Sequence, residues 1–277
     1  MSASEQTGPR RYHLVLSIAG SDSGGGAGVQ ADVKTVSAIG CFGMTVITAL
    51  TAQNTTGVTG IHAVPPAFAV RQLDAIYSDM GADAVKIGML YSAELIRVVA
   101  ERLRSYQAKN IVLDPVMVAQ SGDKLVEDDA IEAIKTDLMP LATVVTPNVP
   151  EAEVLCGHRL RQPSQIEAAA KILAGFGSQS ILIKGGHGMG AESTDLLYFP
   201  QEDRKVTLSA GRISTQNNHG TGCTLSSAIA AYLARGAEIE AAVREAKTYT
   251  TEAIRSGAGY RLGRGHGPVH HFYRFWK

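Results

Sequence analysis

The stretch NNHGTGCTLSSAIAAYLARG (217–236) sets a histidine, two glycines, a threonine and a cysteine directly ahead of a helical pattern. Apolar residues recur at Leu225, Ala228, Ile229, Tyr232 and Leu233, and Gly236 follows as a C-cap. Free amides at a helix N-terminus, with the macrodipole behind them, hold anions. Gly220 and Gly222 would let phosphate oxygens approach the main chain closely, and Thr221 would add a hydroxyl. Cys223, in the first turn, is expected to feel the same positive end, which lowers a thiol pKa. It could then accept or orient the proton of an incoming hydroxyl, or it could pack as a small hydrophobe. His219 is either a satisfied N-cap group or a participant in the chemistry.

A second stretch, SDSGGGAGVQAD (21–32), rules out two familiar phosphate loops. No lysine followed by Ser or Thr comes after its glycines, so it is no Walker A loop. GAGVQA loosely fits a dinucleotide fingerprint, yet the next strand ends in TAQN without an acidic residue for a ribose hydroxyl. The glycines serve either a tight turn or a backbone surface kept bare for a small ligand. Asp32 then faces either solvent or that ligand.

These groups need elements to hold them. YHLVLSIAG (12–20), MTVITALTAQN (44–54), AVKIGM (84–89), NIVLDPVM, TVVTPN and SILIKGG read as strands. Helical segments alternate with them: VQADVKTVSAIG closed by Gly40, PPAFAVRQLDAIYSDMG, SAELIRVVAERLRSY with Ser92 as N-cap, VEDDAIEAIKTDLMP, PEAEVLCG and PSQIEAAAKILAGFG. GVTGIHAV (57–64) is a short extended piece, TDLLYFP and KVTLSA an antiparallel edge pair, and TLSSAIAAYLARG and EIEAAVREAKTYTTEAIRSG the last helices. The pattern predicts an α/β fold of three layers, a mainly parallel central sheet with helices on both faces. In such sheets ligands sit outside the carboxyl ends of the strands, which is where the unusual motifs fall. We expect one domain over 12–277 behind a loose tail at 1–11.

Composition narrows the function classes. The 26 basic and 26 acidic residues of the 277 cancel, leaving no electrostatic footprint for nucleic acid or an anionic membrane. Cys41, Cys156 and Cys223 are too few and too scattered for a disulfide framework and suit a reducing cytoplasm. The polar start MSASEQTGPRR lacks a secretory core, and no apolar run approaches a membrane span.

Taken in order, GSDSGGGAGVQADVKTVSAIGCFGMTVITALTAQNTTGV, KIGML, LDPVM, SGD, TPNVPEAEVL, KGGH, NHGTGCTLSSAIAAYLARG and GHGPVHHF resemble the hydroxymethylpyrimidine/phosphomethylpyrimidine kinases of thiamine biosynthesis. The likeness runs from Leu14 nearly to the C-terminus. It implies a ribokinase-like fold, a homodimer, and magnesium-dependent transfer from ATP to 4-amino-5-hydroxymethyl-2-methylpyrimidine, then to its monophosphate. By this resemblance the amides of Gly220, Thr221, Gly222 and Cys223 form an anion hole, and Cys223 stands at the base position. Gln53, Asp32, Met89 and Val116 line the acceptor pocket. Lys184 and Asn148 serve the nucleotide, and Asp114 and Glu151 hold magnesium; Glu151 also opens a helix, where a carboxylate is stabilised in any case.

Three departures stand out. Gln120 replaces a frequent lysine, which throws doubt on the second phosphorylation. Ser23 and Gly24 replace a common Pro-Ser pair, which should loosen the loop. Asn218 stands where a related pyridoxal kinase subgroup carries cysteine. A vitamin B6 kinase on the same scaffold is the alternative enzyme, since pyridoxal also presents a hydroxymethyl on a flat nitrogen heterocycle, but Asn218 and the full N-terminal signature favour the pyrimidine; a silent sensor of a thiamine precursor is the non-enzymatic alternative. The loop at 119–124 has the composition of a lid.

Overall fold

The computed structural model describes residues 11–117, 128–186 and 190–276. Most of the expected tail, and the 119–124 loop with Gln120, lie outside them. The strands are β1 (Leu14–Asp22), β2 (Phe42–Asn54), β3 (Gly57–Ala63), β4 (Ala84–Ile87), β5 (Ile111–Leu113), β6 (Val144–Val145), β7 (Ile181–Ile183), β8 (Glu192–Phe199) and β9 (Arg204–Gly211). They form one nine-stranded sheet in the order β3-β2-β1-β4-β5-β6-β7-β8-β9. From β2 to β7 every pairing is parallel; β3 on one edge and the β8–β9 pair on the other are antiparallel.

Helices cover both faces. On one lie α2 (Pro66–Tyr77), α3 (Ala93–Ser105), α4 (Asp128–Ala133), α5 (Val149–Cys156) and α6 (Pro163–Ala174), packed around Leu73, Ile96, Leu103 and Leu173. On the other lie α1 (Gly28–Ala38), α7 (Thr221–Ala234) and α8 (Ile239–Gly257), packed around Val36, Ile229 and Tyr249. Ser92 caps α3 as expected, its hydroxyl accepting the Leu95 amide at 3.3 Å.

One expected helix breaks. Within VEDDAIEAIKTDLMP, α4 passes into a π turn at Ile134–Leu138 and a 3-10 turn at Met139–Leu141. Pro140 has no amide to give the i−4 carbonyl, so the α ladder cannot continue through it. No helix among the described residues is long and apolar enough to cross a membrane.

Candidate active site

Side chains along a strand alternate between the two faces of a sheet. Val85 and Ile87 of β4 join the α2–α6 core, so Lys86 between them faces α1 and α7. Leu113, Val145 and Ile183 also face the α2–α6 core, and the residue after each, Asp114, Thr146 and Lys184, turns beneath α7. The parallel strands share a direction, so this polar row gathers near their carboxyl ends. Lys184 Nζ meets Asp114 Oδ1 at 2.7 Å, and Thr146 and Ser226 donate to the same carboxylate, each at 3.2 Å. Burial works against the charge on Asp114, but the Lys184 and Lys86 ammoniums hold its pKa below the usual carboxylate range.

Glu151 sits 3.9 Å from Lys184 and takes part in the capping box of α5. Its Oε2 accepts the Asn148 amide, while Asn148 Oδ1 accepts the Glu151 amide, both at 2.8 Å. The Asn148 side-chain oxygen is thus engaged in capping, and only its NH2 group remains for a ligand. Burial pushes the Glu151 carboxyl up to about 7, more than Lys184 pulls it down.

Gly220 is the N-cap of α7, at φ 79°, and no side chain caps the helix. A methyl on Gly220 would overlap the Gly26 carbonyl oxygen, so the Gly-rich loop and α7 meet backbone to backbone. The Thr221 amide and hydroxyl both donate to the Asn218 carbonyl, at 3.3 and 2.7 Å. This corrects the expectation for Thr221: its donors hold the turn instead of facing a phosphate. The amides of Gly222 and Cys223 carry no hydrogen bond among the described residues. A methyl on Gly222 would lie 3.5 Å from Lys184 Nζ and 3.7 Å from Asp114 Oδ2, which puts these amides beside that pair.

The Cys223 thiol departs from expectation as well. Burial pushes it up to about 11; Lys86 and the Gly28 amide pull it down, and Asp32 and Asp114 add to the rise. The helix N-terminus does not overcome the loss of water, and near neutral pH the sulfur keeps its proton.

Asp22 organises the loop between β1 and α1. Its carboxylate accepts the amides of Gly24 at 2.8 Å, Gly26 at 3.0 Å and Ala27 at 2.8 Å, and it meets His219 Nε2 at 3.0 Å. Burial raises its pKa, but the His219 contact and these amides lower it further, to below the ordinary value. His219 thus ties the loop to α7. Its own amide bonds the Gly267 carbonyl, which brings in the C-terminal GHGPVHHF segment. From that segment His271 reaches Thr224 in the first turns of α7 at 3.1 Å, and burial pushes its pKa down to about 3, so the imidazole is neutral. Ser23 does not loosen the loop. Its hydroxyl donates to the Gln53 carbonyl at 2.7 Å and accepts the Gln53 amide at 2.8 Å.

A cavity of about 660 Å³ joins these groups. Toward β1 and β2 it is lined by Gln53 and Met89, and beyond the end of β5 by Val116. The Thr51 hydroxyl lies 2.7 Å from the Ser21 carbonyl and 3.0 Å from Gln53 Oε1, and so holds the carboxamide at the cavity wall. In the middle stand Cys223, Asp114 and Lys184, and toward β9 and α8 come Ile213, Leu225, Lys247 and Ile254.

Asp32 does not line this cavity, contrary to expectation. It is fully buried, accepting Ser17 at 2.5 Å, Ser227 at 2.6 Å and Lys86 at 2.8 Å. Its place on α1 explains this: Val29, Asp32 and Val36 share the apolar face of the helix, turned to the sheet. Lys86, which does line the cavity, was not singled out in the sequence. The signal was there: a lysine inside the four-residue strand AVKI must be buried and needs a carboxylate.

The sequence profile of the phosphomethylpyrimidine kinases matches residues 22–270. Over 265 residues the chain is 50% identical to the hydroxymethylpyrimidine/phosphomethylpyrimidine kinase of Rhizobium meliloti, covering 95% of this chain and 98% of that protein. The chain belongs to the phosphomethylpyrimidine kinase family. It is also 50% identical over 257 residues to the thiamine biosynthesis bifunctional protein ThiED of Geobacter sulfurreducens, covering 93% of this chain but only about half, 52%, of that protein. Among solved structures, an ADP complex of the pyridoxal kinase of Bacillus subtilis superposes with a TM-score of 0.88 at 35% identity, covering 96% of this chain and all of that one. The phosphomethylpyrimidine kinase family and pyridoxal kinase thus share this fold, and sequence identity sets the chain with the former.

Proposed function

We propose that the chain phosphorylates 4-amino-5-hydroxymethyl-2-methylpyrimidine from ATP and then phosphorylates the monophosphate to the pyrophosphate. One observation carries this reading: a single cavity holds a donor carboxamide and a thioether face at one end, and free helix amides beside a lysine in its middle. Gln53 NH2 donates to a ring nitrogen and Met89 supplies an adaptable surface for a flat ring. The acceptor oxygen attacks the γ-phosphorus as the bond to the leaving ADP oxygen breaks. The Gly222 and Cys223 amides and Lys184 hold the migrating phosphoryl in a loose transition state.

The donor set fits magnesium. This ion takes one or two carboxylates and completes its shell with water and phosphate oxygens. Asp114 and Glu151 are two such carboxylates flanking Lys184, and Glu151 Oε1 carries no hydrogen bond among the described residues. Bound there, magnesium would neutralise charge on the nucleotide phosphates. Binding requires ionised Glu151, whose pKa lies at about 7. Protons therefore compete with the metal as pH falls. The magnesium concentration for half-maximal rate should rise about tenfold between pH 8 and pH 6; a titration at each pH checks this, and a flat response would remove Glu151 from the metal site.

A protonated Cys223 orients the acceptor hydroxyl and does not deprotonate it; that proton leaves late, to a phosphoryl oxygen or water. Cys223→Ala should lower kcat about tenfold, the worth of one neutral hydrogen bond, and leave nucleotide affinity unchanged. Unchanged turnover would end this role, and a loss near 10⁴-fold would restore that of a base.

The reaction itself is tested by separating products after incubation with ATP. Monophosphate should appear first and pyrophosphate second, with kcat/KM for pyridoxal well below that for the pyrimidine. A preference for pyridoxal would make this a vitamin B6 kinase, and no ATP consumption would leave a sensor. A cytoplasmic homodimer is part of the same proposal, and the exposed edge strand β3 offers a free surface for a second copy.

A further inference from the structure

Among the described residues, Lys86, Lys184, Arg212 and Lys247 line the cavity, and the mechanism above uses only Lys184. Lys86 is the most deeply set of the strand lysines, with its side chain 1% exposed against 13% for Lys184. An ammonium has three N–H donors, and Asp32 is the only hydrogen-bond partner of Lys86 among the described residues. Two donors therefore remain on a buried group that lines the cavity. Gly88 keeps space for them, because a methyl there would lie 2.7 Å from Lys86 Nζ.

The surroundings fix which substrate this cation serves. Lys86 shares its strand end with Met89, which the proposed function assigns to the acceptor, whereas Lys184 pairs with Asp114 in the middle of the cavity. Asp32 also takes the hydroxyl of Ser227, one helical turn after Cys223 on the same face of α7. The Lys86–Asp32–Ser227 chain thus seats the ammonium beneath Cys223. Lys86 is close enough to Cys223 to pull the thiol pKa down, against the larger effect of burial.

We propose that Lys86 is the acceptor-side cation of this site, donating to the acceptor hydroxyl oxygen in the first phosphorylation and to the acceptor's phosphate in the second. It keeps its own protons throughout and acts as a hydrogen-bonding charge. A phosphate acceptor carries about −1.5 to −2 charges and gains far more from such a cation than a hydroxyl does.

The role rests on the pyrimidine kinase reading, and its test separates the two. Lys86→Met alone strands Asp32 as a buried charge, so Lys86→Met/Asp32→Asn is the informative variant. With melting temperature and ADP affinity matching wild type, kcat/KM for the hydroxymethyl acceptor should fall about tenfold, and for the monophosphate acceptor about 100-fold or more. Equal losses in the two steps, or rates within about threefold of wild type, would overturn the assignment. Crystals of the wild type with bound monophosphate give a second readout: the phosphate should lie within hydrogen-bond distance of Lys86 Nζ, and a phosphate held elsewhere would overturn the role. Should the wild type turn over neither acceptor, the kinase reading fails first and Lys86 falls with it.

Discussion

Gly220→Ala is expected to reduce kcat at least about 100-fold while the protein stays folded. Two independent constraints act at this residue. Its φ of 79° lies where a side chain costs about 1–2 kcal/mol, and its Cβ would overlap the Gly26 carbonyl. Relief requires the first turn of α7 to withdraw from the Gly-rich loop. That movement takes the Gly222 and Cys223 amides away from Lys184, and misplacement of about 1 Å is enough for a loss of this size. Gly236→Ala is the control. It has φ 87° at the far end of the same helix, but a methyl there meets nothing within 4 Å. Steady-state kinetics and thermal melts of both variants should show a backbone cost of about 1–2 kcal/mol, with a further steric loss and the loss of activity only at Gly220. Equal activity in the two would mean that the α7 start is only a structural turn.

Lys184→Met should lower kcat by about 10³-fold, the range for removing a donor aimed at developing transition-state charge. It should also destabilise the fold by about 3–5 kcal/mol, because Asp114 is left buried without its 2.7 Å partner. The two effects separate when Lys184→Met/Asp114→Asn, which removes the stranded charge, is compared with Asp114→Asn alone, which already lacks that magnesium carboxylate. The melting temperature of the double variant should return toward wild type, while its rate falls well below that of Asp114→Asn. Equal rates in these two variants would show that Lys184 serves only the folded state.

Much of this architecture was legible in the residues. The apolar strands, the Ser92 cap and the edge pair TDLLYFP/KVTLSA follow from period-two runs and turn chemistry, and the sheet carries them as expected. The α7 start was legible too, because Gly-Thr-Gly ahead of a helical face offers no strong cap. What escaped depends on distances that spacing does not encode. Cys223 sits at a helix N-terminus, yet its environment is set by Asp32 and Asp114, 191 and 109 positions away along the chain, and by loss of water. Thr221 turns back because the Asn218 carbonyl is within reach. Asp32 and Lys86 are two halves of one fact: each is a charge on an apolar face, and burial of either demands the other. The stretch VEDDAIEAIKTDLMP reads as one helix because its proline sits at the end, whereas the π turn begins six residues before that proline, at Ile134.

The claim on which the rest depends is that the migrating phosphoryl lies against the start of α7. Its direct measurement is the position of a planar phosphoryl mimic, such as a metal fluoride, in crystals grown with ADP, magnesium and the pyrimidine alcohol. The account places the mimic about 3 Å from the Gly222 and Cys223 amide nitrogens and within reach of Lys184 Nζ, with the alcohol oxygen in line beside Cys223. A mimic bound elsewhere in the cavity, with those two amides still facing water, would contradict it.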